Sequence, residues 1–200
     1  MPKTIYKVHN DYIEFIEYPF PCASVCKGKI LKATAIIDVA DRSLGPPVIR
    51  TVDNELIFTP TQTDEAGSQH ENLPLFYANN NIHVRKATDI WDLILEPFLD
   101  TEHSEDFKAK TFARLESCGI GRKECECLRH EVSARMLSYN FSSGLWDWCY
   151  LGLYDVLCAS IGFLSGEKFR LSDADFEAFY WRAMKIALKG FMCCNNELNE

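Results

Sequence analysis

Between Ser143 and Leu164 the chain is apolar in every direction around a helical wheel. A helix that is hydrophobic on all sides is buried, either at the centre of a domain or within a membrane. The stretch contains Asp147 and Asp155, each of which would cost about 2.5–3.5 kcal/mol at the centre of a bilayer. No cluster of Lys and Arg flanks it, although such clusters set the orientation of membrane spans. We therefore predict the buried central helix of a bundle rather than a membrane-spanning helix.

The segments on either side of this stretch show the periodicity of amphipathic helices, with apolar residues three and four positions apart. Thr88 is predicted to cap a first helix, which Pro97 is expected to kink or end, and Ser104 is predicted to cap a second. A third helix is expected over about residues 122–138. The clearest pattern precedes Gly190, which is expected to be the C-terminal cap of the last helix.

The N-terminal part of the chain, from Ile5 to about Pro60, is rich in β-branched and aromatic residues, which favours strands. Residues 12–18 and 30–39 are candidate strands, and for residues 30–39 the pattern alone does not exclude a short helix. Two short apolar runs around an Asp-Asn turn predict a β-hairpin from Val48 to Thr59. A further strand is expected in the segment LPLFYANNNIHV, residues 73–84, after a polar loop.

The hairpin sequence PPVIRTVDNELIF resembles the end strands of small bacterial β-sandwich and pleckstrin-like modules. The resemblance covers a short part of the chain and implies strands there. No site residue is carried over from it, and the chain is not identified as a member of a family with an assigned activity.

These patterns together predict an α+β fold. A small antiparallel β-rich N-terminal part, residues 1–84, is followed by a C-terminal bundle of four to five helices, residues 85–200, around the one buried central helix. The two parts are expected to form either two domains or one continuous core.

The charge and the cysteine content indicate which classes of protein are expected and which are not. The net charge is −8 and no run of Lys and Arg is present, so the basic surface of a nucleic-acid-binding protein is not expected. The chain has nine cysteines, and its N-terminus lacks the apolar stretch of a secretory signal. We therefore expect reduced thiols in a cytoplasmic protein that binds neither nucleic acid nor membranes.

Four residues form the first candidate site, a possible zinc centre: Cys118, Cys125, Cys127 and His130. Zinc accepts thiolate and imidazole ligands. Cys125 and Cys127 lie two positions apart on a predicted helix and are rotated by roughly 200°, so both cannot bind one ion. No metal site and no other cofactor is expected.

Six residues near the predicted end of the first helix form an acidic cluster with one histidine: Glu96, Asp100, Glu102, His103, Glu105 and Asp106. Such a group could hold a hard cation or act as an acid–base pair. Acidic residues also stabilise the start of a helix, and a charged connection is usually solvated. We expect a solvated connection between two helices.

The two aspartates of the central stretch are the third candidate. Eight positions on one helix correspond to about 12 Å and roughly 80°, so one broad face could hold both Asp147 and Asp155. A pocket beside this face would have Trp146, Trp148 and Tyr154 as apolar walls. The structural alternative is a set of ion pairs with arginines, because buried charges are normally paired. The arginines available for such pairs are Arg129, Arg135 and Arg182.

The sequence contains no catalytic motif: no glycine-rich phosphate loop, no Gly-x-Ser-x-Gly elbow and no His-Glu-x-x-His. No catalytic residue is therefore assigned. The leading hypothesis is a non-catalytic protein-interaction or regulatory module that binds a protein partner or a second copy of itself. The alternative is a small-ligand-binding protein or an enzyme whose pocket lies beside the central helix and uses Asp147 and Asp155.

Overall fold

The computed structural model describes residues 2–41, 45–60, 73–99, 103–142 and 150–193. The chain divides into two compact units, Met1–Lys86 and Ala87–Glu200, here called the strand unit and the helical unit. Antiparallel strands dominate the first unit, and several helices form the second. The predicted α+β fold class is confirmed.

Three antiparallel strands form the first sheet in the order β1-β2-β3: β1 (Ile5–Val8), β2 (Tyr12–Glu17) and β3 (Ile30–Lys32). The short helix α1 (Ser24–Gly28) connects β2 and β3. Ile13 and Phe15 are buried on one face of β2, while the residues between and beyond them are more exposed. This alternation is the pattern of a strand with one face on the core.

Four strands form the second sheet in the order β6-β5-β4-β7: β4 (Ile36–Ala40), β5 (Val48–Thr51), β6 (Leu56–Phe58) and β7 (His83–Arg85). The hairpin β5–β6 is confirmed, with Asn54 in the left-handed region at its turn. The single strand predicted over residues 30–39 is divided by a 3₁₀ turn at Ala33–Ala35. Its two halves therefore belong to different sheets.

The segment predicted as a further strand begins instead with helix α2 (Leu73–Asn79). Leu73, Phe76 and Tyr77 are buried at helical spacing, which a short apolar run does not distinguish from a strand. After α2 the chain enters β7, which pairs with β4 in parallel. The strand part is antiparallel as predicted except at this edge, where β7, which follows α2, runs parallel to β4.

The described residues of the helical unit form five α-helices: α3 (Ile90–Leu95), α4 (Glu105–Ser117), α5 (Arg122–Ser142), α6 (Leu153–Ser160) and α7 (Asp173–Cys193). All eight residues of α6 are buried, and α6 packs against α3, α5 and α7. It is the predicted buried central helix. Within the described ranges, no helix combines the length and apolarity needed to span a membrane.

The central helix is shorter than the sequence pattern predicts. Residues 150–152 are not helical, and α6 begins at Leu153 with the extended Gly152 as its N-cap. The Asp155 side chain accepts a hydrogen bond from the Gly152 amide, which fixes the start of the helix there. Residues 143–149 of the predicted helix lie outside the described residues.

Two predicted helix boundaries also differ. Asp89, not Thr88, caps α3, since its carboxylate accepts a hydrogen bond from the amide of Trp91. Ser104 caps α4 as predicted. Helix α7 continues past Gly190, so this glycine is not its C-terminal cap. Gly190 lies against the backbone carbonyl of Thr88, where the absence of a side chain allows a close approach of the two segments.

Candidate functional site

The structure describes two of the five predicted site residues. Asp155 and Tyr154 lie in the first turn of α6, and both are buried. Asp147, Trp146 and Trp148 lie outside the described residues. The uninterrupted helix assumed between the two aspartates is wrong, because residues 150–152 are not helical. Asp155 is therefore the residue from which the site is built.

Both carboxylate oxygens of Asp155 accept hydrogen bonds from the protein. Oδ1 accepts from the hydroxyl of Tyr139 on α5 at 2.9 Å, and Oδ2 accepts from the Gly152 amide at 2.8 Å. The carboxyl is thus held by a hydroxyl and a backbone amide. Such donors satisfy a buried carboxyl without a full counter-charge.

The three arginines proposed as its partners contact other groups. Arg129 donates to the carbonyl oxygens of Ile94 and Leu93 near the end of α3. Arg135 donates to the hydroxyl of Ser160, and Arg182 forms an ion pair with Glu131. Asp155 is therefore held by hydrogen bonds at the start of α6, and the ion pairs with arginine that the sequence suggested are not formed by these three residues.

A second aspartate lies close to the first. Asp89 caps α3 through Oδ1, and its Oδ2 accepts a hydrogen bond from the hydroxyl of Tyr150. A Cβ atom on Gly152 would lie 2.3 Å from this hydroxyl and 2.6 Å from Oδ2 of Asp89, so only glycine fits between the two caps. We call Asp89, Tyr139, Tyr150, Gly152 and Asp155 the aspartate cluster. It joins the starts of α3 and α6.

The buried environment of the aspartate cluster shifts the pKa values of side chains in and beside it. Burial raises the pKa of Asp155 to about 6, and the nearby charge of Asp89 adds to this, while the Gly152 amide and the Tyr139 hydroxyl act in the opposite direction. Burial, with the charge of Asp155, also raises the pKa of Tyr139 and of Cys158 far above their ordinary values. The cluster can therefore take up a proton near pH 6. The hydrogen bonds of Asp89 and Asp155 fix the N-terminal ends of α3 and α6.

The acidic cluster predicted from the sequence contains a partly buried contact. Glu96 is buried at the end of α3, with Arg129 at 3.5 Å and the Nε2 atom of His103 at 4.0 Å from its carboxylate oxygens. This Nε2 atom is buried and makes no hydrogen bond in the described part of the chain. The ring of His103 stacks on Phe107. The prediction of a fully solvated connection is wrong at Glu96.

The remaining members of that cluster divide into two groups. Glu105 and Asp106 are exposed in the first turn of α4, where they form ion pairs with Lys108 and Lys110. The Lys108 ammonium lowers the pKa of Glu105. Asp100 and Glu102 lie outside the described residues. These exposed pairs have the solvated character that the sequence predicted.

The cysteines do not form the considered zinc centre. Among the residues that the structure describes, no group of three or more His, Cys, Asp and Glu side chains could hold a metal ion. Cys125 is buried and Cys127 is exposed, as their rotation on α5 predicts. Cys118 lies instead beside Cys193 at the end of α7, and the hydroxyl of Ser117 contacts both thiols.

The strand unit contains a cleft of about 330 Å³ between β2 and α1. Eight residues line it: Lys3, Phe15, Ile16, Glu17, Tyr18, Val25, Cys26 and Lys29. Lys3 lies 3.7 Å from Glu17, so opposite charges within the cleft partly neutralise each other. The residues that line the cleft do not favour any one class of ligand.

Helix α5 carries an apolar stripe on its outer side. Five exposed residues follow one another at alternating spacings of three and four: Cys127, His130, Ala134, Leu137 and Phe141. The side chain of Leu137 is 57% exposed and that of Phe141 is 74% exposed. We call these five residues the α5 outer stripe. The stripe was not predicted, although its spacing is readable from the sequence.

Comparison with known proteins gives no relative: no family model, no curated protein and no solved structure matches the chain.

Proposed function

We propose that this protein is a non-catalytic interaction module whose helical unit pairs with a second copy through the α5 outer stripe. One observation carries the proposal: the stripe has the three-four spacing of a helix–helix seam, on the exposed side of a helix whose other side is already buried. That spacing keeps a row of side chains facing a partner helix along its whole length. The stripe spans 15 residues, from Cys127 to Phe141, and the 14 steps between its ends correspond to about 21 Å.

The order of side chains along the stripe favours a second copy as the partner. The large residues Leu137 and Phe141 lie at one end, the smaller Cys127 at the other, and Ala134 in the middle. In an antiparallel pair, Phe141 of one copy would face Cys127 of the other, and the two Ala134 residues would lie at the crossing point. A two-fold interface must be self-complementary in this way.

The distribution of charge also supports the α5 outer stripe as the interface between two copies. Each copy carries a net charge of −8, so most approaches between two copies bring like charges together. The stripe contains no carboxylate, lysine or arginine. Glu131, which borders it, is paired with Arg182. Contact along the stripe therefore buries side chains that include no carboxylate, lysine or arginine.

We also propose that the protein is cytoplasmic and that it has no nucleic-acid partner. The seven cysteines that the structure describes are free thiols, which supports the cytoplasmic location expected from the sequence. The acidic charge supports the absence of a nucleic-acid partner. A ligand site beside α6 is the weaker candidate, because Asp155 is buried and each of its carboxylate oxygens already accepts a hydrogen bond from the protein.

Replacing Leu137 with aspartate is expected to raise the dissociation constant of the dimer at least tenfold, because the charge would be buried in the seam. Sedimentation velocity of the full chain over a range of concentrations measures this constant. The matched control is Leu75→Asp, since Leu75 is an exposed leucine of helix α2 in the strand unit. It is expected to leave the constant unchanged.

Two results would overturn the proposal. The first is a wild-type chain that stays monomeric up to about 100 μM, a concentration at which even weak specific dimers form. The second is a dimer that Leu137→Asp and Leu75→Asp affect equally, because the interface would then lie elsewhere.

A further inference from the structure

Two cysteines that are far apart in sequence meet at one end of the helical unit. Cys118 follows the last residue of α4, and Cys193 is the last residue of α7. The hydroxyl of Ser117 lies 3.9 Å from the sulfur of Cys118 and 3.6 Å from that of Cys193. The thiol of Cys193 is also close enough to raise the pKa of Cys118. They are therefore neighbours in space.

The surrounding contacts hold the two chain segments in place. The amide of Cys118 donates to the carbonyl oxygens of Arg114 and Leu115, which closes the end of α4. One turn before Cys193, the ammonium of Lys189 donates to the carbonyl oxygen of Gly119 at 2.9 Å. These bonds hold the backbone on both sides, so an approach of the two sulfurs has to come from side-chain rotation.

We propose that Cys118 and Cys193 are a disulfide-forming pair, which hydrogen peroxide oxidises to a covalent link between the ends of α4 and α7. The formation of a disulfide requires two sulfurs that approach to about 2.05 Å with little backbone movement. The shared contact with Ser117 and the bond from Lys189 to Gly119 hold the two cysteine-bearing segments next to each other. Reduced thiols at rest are compatible with it, because the link forms only when the oxidant is present.

The environments of the two sulfurs assign the order of the steps. Cys193 is partly exposed and Cys118 is buried. Burial, together with Cys193, raises the pKa of Cys118 to about 12, although the neighbouring Arg114 and Ser117 act in the opposite direction. Cys193 is therefore the thiol that meets the oxidant, and Cys118 is the one that resolves the intermediate.

The reaction balances in two steps. The Cys193 thiolate attacks one peroxide oxygen, the O–O bond breaks, and the leaving hydroxide takes up a proton to become water. The product is a sulfenic acid on Cys193. The sulfur of Cys118 then attacks the sulfur of Cys193, the S–O bond breaks as the S–S bond forms, and the thiol proton of Cys118 leaves with the hydroxide as a second water. Two thiols lose two electrons, and one peroxide is reduced to two waters.

The link would close a loop between positions 118 and 193 of the chain. Closing a loop of this length lowers the entropy of the unfolded chain and stabilises the folded one. We expect the oxidised protein to unfold at a temperature several degrees higher than the reduced protein.

Peptide mapping of the peroxide-treated full chain tests the proposal. After free thiols are blocked with N-ethylmaleimide, mass spectrometry under non-reducing conditions is expected to find one intrachain peptide pair that contains Cys118 and Cys193. Cys194→Ser is the matched control, since it removes the adjacent thiol, and it is expected to keep the crosslink. Cys118→Ser is expected to lose the crosslink and to leave a sulfenic acid on Cys193 that dimedone labels.

The proposal is overturned if Cys194→Ser abolishes the crosslink while Cys118→Ser retains one. It is also overturned if peroxide oxidises the exposed Cys127 and leaves Cys118 and Cys193 as thiols. Because the crosslink lies within one chain, the same mapping in the Leu137→Asp variant separates this result from the outcome of the dimer experiment.

Discussion

Replacing Gly190 with alanine is expected to lower the free energy of unfolding of the helical unit by about 3 kcal/mol. The new Cβ atom would lie 2.1 Å from the carbonyl oxygen of Thr88 and 3.1 Å from the Ile90 side chain. Alanine favours a helix over glycine by about 1 kcal/mol, a gain that is too small to offset this overlap. The strain cannot be relieved easily, because the Asp89 cap fixes the start of α3 directly beside Thr88.

Urea denaturation followed by tryptophan fluorescence measures this effect. Trp91 on α3 is buried, and its indole donates a hydrogen bond to the carbonyl oxygen of Ala183 on α7, so it reports on this interface. Gly121→Ala is the matched control, since a Cβ atom there meets no heavy atom within 4 Å. The control is expected to change the free energy of unfolding by less than about 1 kcal/mol. Equal stabilities of the two variants would contradict the close packing of α7 on Thr88.

Gly190 also shows why some helix boundaries are readable from the sequence and others are not. A glycine at the end of an apolar periodicity is typical of a C-terminal cap, and the local pattern supported that interpretation. The residue that decides its role is Thr88, about a hundred positions earlier in the chain. By contrast, Ser104 caps α4 through a bond to Phe107, three residues later, and was predicted correctly. Local contacts can be predicted from local sequence, whereas tertiary ones cannot.

The same distinction separates the parts of the strand unit. The hairpin β5–β6 follows from two apolar runs and a turn that lie within a dozen residues. Helix α2 was predicted as a strand, because Leu73, Phe76 and Tyr77 form too short a run for their spacing to distinguish the two structures. Helix α2 lies between β6 and β7, and no local pattern indicates that β7 then pairs with β4 in parallel.

The candidate site was predictable in part. Burial of Asp155 follows from the apolar sequence around it, and the cost of burying a carboxyl indicates that it needs partners. The identity of those partners depends on how α5 packs on α6, which brings Tyr139 to the carboxyl. The Asp89–Tyr150 contact likewise joins residues 61 positions apart. The α5 outer stripe is different, since its regular spacing lies within one helix.

The stability of the helical unit is expected to depend on pH through Asp155. Its pKa is raised from 3.8 to about 6 in the folded protein, so the folded state binds the proton more tightly than the unfolded state does. A raised pKa contributes stability that is complete below about pH 4 and is lost as the pH rises through 6. One pKa unit corresponds to 1.36 kcal/mol, so the contribution lost by pH 7.5 is about 3 kcal/mol. Asp155→Asn cannot ionise and is expected to escape this loss.

Urea denaturation of the wild-type chain and of Asp155→Asn at pH 4.5 and pH 7.5 measures this contribution. The difference in unfolding free energy between the two proteins is expected to shift by about 2 kcal/mol in favour of the variant at the higher pH, and titrating groups that do not interact with Asp155 cancel in this difference. Asp173→Asn is the matched control, since Asp173 is exposed in the first turn of α7, and it is expected to show no such shift. A constant difference between wild type and Asp155→Asn at both pH values would mean that the folded protein does not hold a proton on this carboxyl, and that the Tyr139 and Gly152 donors outweigh its burial.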